Sequence, residues 1–90
     1  MEFASVRIVT SDAKRLVAFY EQVTGITATW YTPDFAEVST PSFTLAIANE
    51  ATVALFGKDS AKPASNRSLI LEWRVEDVDR EASRLSPTDL

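Results

Sequence analysis

Ninety residues make one small domain or part of a larger one, and a chain this short buries a modest fraction of its surface unless it associates. A net charge of -4, with no face of clustered Lys and Arg, argues against nucleic acid as the main partner. Cysteine and histidine are both absent. That excludes a disulfide scaffold, a thiolate metal site and a Cys nucleophile, and it removes the commonest general base and transition-metal ligand.

No apolar run approaches the ~20 residues of a membrane span, so no membrane partner is expected. The opening MEFASVRIV lacks the basic start and apolar core of a signal peptide, so the expected location is cytoplasmic. Phe3–Thr10 alternates and reads as a strand, with Val6 and Ile8 on one side and Ser5, Arg7 and Val9 on the other. A helix follows over Asp12–Thr24. Asp12, or alternatively Ser11, caps its start, and Leu16, Tyr20 and Val23 form its apolar stripe. Gly25 can take the left-handed conformation that ends a helix, which lets Ile26 fold back onto the last turn. Packed over Val6 and Ile8, this helix leaves Arg7 and its neighbours on the opposite sheet face.

Ile26–Thr32, Phe35–Thr40 and Phe43–Ala48 read as three further strands, separated by Pro33-Asp34 and Pro41-Ser42 turns. Asn49-Glu50 marks a kink, and Thr52–Phe56 continues as a β-like apolar run. Gly57–Arg67 is polar and rich in Gly, Pro, Ser and Asn, as a linker would be. Ser68–Val75 reads as a strand. Glu76-Asp77 then opens a second helix with an apolar stripe of Val78, Ala82 and Leu85, stopped by Pro87. Setting Asp77 under Asp12 places Leu71 at Val6, Trp73 at Ile8, Ala82 at Val17 and Leu85 at Tyr20. The two strand-helix pairs thus read as an internal repeat.

A strand, then S-D, then a helix containing A-F-Y-E-x-V-T-G, then three strands, resembles the first module of the glyoxalase/bleomycin resistance/dioxygenase group, the vicinal oxygen chelate superfamily. The E-D-V-D of Glu76–Asp79 resembles the opening of that family's second module. The resemblance implies an α+β fold. A βαβββ module would occupy residues 1–56, a linker 57–67, and the first strand and helix of an incomplete second module 68–90. Family members pair two such modules around a shared cavity. Here the strands that would finish the second are absent, so either a second chain completes the cavity or the chain is a fragment. A homodimer, with or without exchanged elements, is the expected partner arrangement.

Enzymes of the family hold a divalent metal on inward-facing His and Glu side chains. Ser5 stands where the first of these normally lies, and Ile70 at its counterpart in the second module. The expectation is therefore no metal, no cofactor and no catalytic residue, as in the branch that sequesters small molecules such as antibiotics. Arg7 and Arg74 would orient an anionic or polar group and Glu72 would accept from a donor. Equally, these charges would pair with one another on a solvated sheet face. Trp30 and Phe43 are the aromatic candidates for a pocket holding a small apolar or aromatic ligand, against the alternative of core or dimer contacts. Trp73 reads as core, and Glu37 and Glu50 as solvated charges. Two other functions stay open: an enzyme of the same superfamily using Glu37, Glu50 or Glu72, and a truncated structural or interaction domain ending at SRLSPTDL.

Overall fold

The structure, a computed structural model, describes residues 1–57 and 60–85, with Leu55 described by its backbone only. The first strand, β1, spans Val6–Thr10 and leads into the helix α1, Ala13–Thr24. Asp12 caps α1, its carboxylate accepting from the Arg15 N–H at 3.1 Å. This satisfies one of the donors left free in the first turn, a contribution of about 1 kcal/mol. At the other end Gly25 is left-handed, with φ 71°, and its N–H donates to the Glu21 carbonyl at 2.8 Å. A Cβ there would meet nothing within 4 Å, so the glycine serves the backbone conformation and not close packing.

Three more strands complete the sheet: β2 at Thr29–Thr32, β3 at Phe35–Thr40 and β4 at Phe43–Asn49. The order is β1-β4-β3-β2. β1 lies parallel to β4, and the other pairs are antiparallel. The chain is thus a βαβββ module, with α1 crossing to one sheet face. Leu45, Ile47, Val38 and Ala36 are buried on that face against Ala13 and Val17 of α1. Burying a Leu, Ile or Val side chain contributes roughly 1.5–3 kcal/mol, so this cluster dominates the stability of the module.

Asn49 joins three elements. Its Oδ1 accepts from the Ala13 N–H at 2.8 Å, and its Nδ2 donates to the Asp34 carboxylate at 2.8 Å. The end of β4 therefore fixes both the start of α1 and the β2–β3 turn.

Several expected elements form differently. Phe3–Ser5 stays outside β1, and Ile26–Ala28 stays outside β2, where the Ala28 N–H donates to the Glu21 carboxylate at 2.8 Å instead of a strand partner. Thr52–Phe56 is not β-like; it lies in a 3-10 helix, Glu50–Phe56, that packs against β1 and β4. The Thr52 hydroxyl donates to the Asn49 carbonyl at 2.9 Å and tightens the turn out of the sheet. Ser68–Val75 forms no strand either. Alternation alone does not make a ladder, and Asn66 Oδ1 draws off the Ser68 and Leu69 N–H groups at 2.8 and 3.1 Å. Leu71 and Trp73 still pack, half-buried, against the core.

The second helix, α2, spans Val78–Arg84, and Asp77 caps it by accepting from the Arg80 N–H at 2.9 Å. Its expected apolar stripe is not buried, and Val78 is 71% exposed. Pro87, and Lys58 and Asp59 of the expected linker, lie outside the described residues. No described helix is long and apolar enough to cross a membrane.

Candidate functional site

Pairing register sorts the strand side chains into two faces. Val6, Leu45 and Val38 form one row under α1, and Ile8, Ile47, Ala36 and Trp30 the next. On the face turned away from α1, Arg7, Ala46, Glu37 and Thr29 form a row, beside Val9, Ala48, Phe35 and Thr32. Ala46 and Ala48 are fully buried between these larger neighbours.

The Arg7 guanidinium sits over the Phe35 ring, 4.7 Å from its centroid. At an exposed position such a contact contributes about 0.5–1 kcal/mol. The Tyr31 ring lies 5.9 Å from Phe35, tilted by 47°. The Glu37 carboxylate raises the pKa of the Tyr31 phenol above its ordinary value of 10.0, first by accepting its hydrogen bond and then by charge. The phenol therefore stays protonated through the neutral range. The face combines two rings, a cation rich in donors, and a carboxylate–phenol pair able to accept and donate. Arg7 covers Phe35, so the ring left open to a planar ligand is the exposed Tyr31, with Arg7 as the donor to a carbonyl or an anionic group.

Of the residues expected to bind a ligand, Arg7 lies on this face, and so does Glu37, which the sequence offers only as a solvated charge or for the enzyme alternative. Trp30 belongs to the α1 face of the edge strand β2, where it is 40% exposed beside Lys14. Phe43 is half-buried against the core. Glu72 and Arg74 are exposed, and no ion pair joins either to Arg7 among the described residues. Tyr31, Phe35 and Glu37 take the places expected of Trp30, Phe43 and Glu72. Their signal was the alternation of β3, which sets Phe35 and Glu37 opposite Ala36 and Val38. The irregular register between Trp30 and Thr32, which accompanies Tyr31 against Phe35, has no sequence signature.

The family model described as Glyoxalase/Bleomycin resistance protein/Dioxygenase superfamily matches residues 2–89. The chain belongs to this superfamily. No curated protein and no solved structure matches it. The residues present do not fit the metal that enzymes of the superfamily carry. Ser5 is exposed and precedes β1, and no three His, Cys, Asp or Glu side chains gather among the described residues. Arg7 also brings a fixed positive charge to the face where a cation would sit.

Proposed function

We propose that the protein is a small-molecule binding, sequestering member of the glyoxalase/bleomycin resistance superfamily, and that it works without a metal or cofactor. The observation that carries this reading is the Arg7–Phe35–Tyr31–Glu37 face, which offers ring surface, a donor and an acceptor but no ligand set for a cation. A second copy of the chain laid over this face would enclose the ligand. Phe3, Phe56 and Ile70 are exposed, and apolar surface of this kind favours association.

The test uses uncharged planar aromatic compounds bearing a carbonyl and a hydroxyl. Sedimentation at micromolar protein should give a dimer, and the compounds should raise its melting temperature. Saturation at a hundred times Kd is worth about 2.7 kcal/mol. Phe35→Ala should abolish the shift while leaving the dimer intact. A monomer, a panel without any shift, or a bound divalent metal whose chelation lowers the melting temperature would each overturn the reading.

A further inference from the structure

β1 is the last strand on its side of the sheet, and among the described residues no strand pairs with its outer edge. A cleft of about 950 Å³ runs along this edge, walled by α1 on one side and by residues 61–73 on the other. That is at the upper end of the range of small-molecule clefts, roughly 300–1,000 Å³. Its apolar lining joins aliphatic side chains, among them Ile8, Val23 and Leu71, to three aromatic rings. Phe19 and Tyr20 meet edge to face with centroids 5.1 Å apart, and Trp73 faces the same space.

Its charge is the reverse of the chain's. The whole protein carries -4, yet Arg7, Lys62 and Arg67 line the cleft, and its described lining holds no Asp or Glu. Arg67 stands on an ordered stretch of the wall. Asn66 Oδ1 accepts from the N–H groups of Ser68 and Leu69, at 2.8 and 3.1 Å, and so fixes the backbone on both sides of it. An acidic protein repels anions at a distance, so cations gathered in an aromatic recess create a local attraction that the composition does not foretell.

We propose that this cleft binds an aromatic anion. Its ring system lies among Phe19, Tyr20 and Trp73, and its carboxylate, sulfonate or phosphate group is met by Arg67. Guanidinium suits this role because it pairs with a planar or tetrahedral oxyanion through parallel N–H donors. The cleft and the Phe35 face are separate sites. Arg7 touches both, so a substitution there would not tell them apart.

The probes are anilinonaphthalene sulfonate and its uncharged parent, phenylnaphthylamine. The chain has two Trp residues, so Trp30→Phe leaves Trp73 as the only donor for energy transfer to the dye. Saturable transfer from Trp73 at one site per chain is expected, with the sulfonate favoured over the parent about tenfold. Arg67→Gln should weaken the sulfonate about tenfold and leave the parent unchanged, and added salt should act in the same direction. Circular dichroism confirms that this exposed loop variant is folded. Phe35→Ala should leave dye binding intact even if the uncharged ligands of the open face fail to bind. Equal affinity for the two dyes, insensitivity to Arg67→Gln, or loss in Phe35→Ala with retention in Arg67→Gln would each overturn the assignment.

Discussion

Asp12 and Asp77 do the same thing at the start of α1 and α2. Each accepts a hydrogen bond from the backbone N–H three residues on, at 3.1 and 2.9 Å. The helices themselves differ. α1 runs for 12 residues and buries Ala13 and Val17, whereas α2 runs for 7 and buries none. The stretch before α1 is a strand bonded along its length to β4, while the stretch before α2, with the same alternation, has no ladder. Caps and alternation are local instructions, and both regions carry them. A strand is a pairing, so it also needs a neighbour whose edge is within reach. In the first region β4 supplies it. In the second, residues 61–73 stand across a cleft from the free edge of β1. Among the described residues every buried apolar side chain lies between Ala13 and Val53. The first region holds the core and the second leans on it.

The sharpest way to break this contrast is to truncate one side chain in each region. Leu45→Ala should cost roughly 2–5 kcal/mol, because a fully buried Leu leaves a cavity between α1 and β4. A domain of this size is stable by only about 5–15 kcal/mol in total, so this variant should be largely unfolded in mild urea. Leu71 is half-buried and packs against the core from outside it. Leu71→Ala should cost about 1 kcal/mol or less, since its site can close by a small shift of the 61–73 segment. Urea titration measures both, and equal losses would show that the second region shares the core.

Two polar staples give a smaller contrast. Asn49 is half-buried and serves Ala13 and Asp34 at once, so Asn49→Ala should cost about 1–3 kcal/mol by leaving the first N–H of α1 without its partner. Arg84 ties α2 to the end of α1. Its guanidinium donates to the Gln22 and Val23 carbonyls at 2.9 and 2.6 Å and to Glu81 at 2.7 Å. Those carbonyls belong to the last turn of α1, where helix carbonyls lack partners and favour a cation. The group is exposed and screened, so Arg84→Ala should change global stability by under about 0.5 kcal/mol. Its expected signature is faster hydrogen exchange confined to α2.

Legibility in the sequence follows the same division. The Asp12 cap, the Gly25 stop and the Phe35–Thr40 strand could all be read, because each is set by neighbours one turn or one pleat away. Thr52–Phe56 and Ser68–Val75 could not be read correctly, because their composition suits a strand and only the missing partner rules it out. The site was half legible. β1 parity puts Arg7 on the face that α1 leaves free, whereas β3 alternation sets Phe35 and Glu37 on one side of their strand without saying which face that side joins. Trp30 and Phe43 stand out in the sequence by ring size, yet pairing with Ala36 and Thr40 puts them on the α1 face. Glu37 read as an isolated charge because its partner, Tyr31, reaches it only through the hairpin.

The two caps test the comparison at its root. Asp12→Ala removes the acceptor for a first-turn N–H of a helix that packs on the core, so any fraying of α1 also loosens Ala13 and Val17. The cost should be about 1 kcal/mol of global stability, seen as a lower urea midpoint. Asp77→Ala removes a similar acceptor, but α2 buries no side chain and can open while the rest stays folded. Its urea midpoint should not move. The loss should appear as a drop in helical circular dichroism and faster exchange of the α2 amides. The two substitutions are chemically identical and remove hydrogen bonds of similar length, 3.1 and 2.9 Å, so unequal midpoints would have to come from what each helix packs against. Equal midpoints would mean that α2 unfolds together with the module, and that Leu71, Trp73 and Arg84 hold it more firmly than their exposure implies.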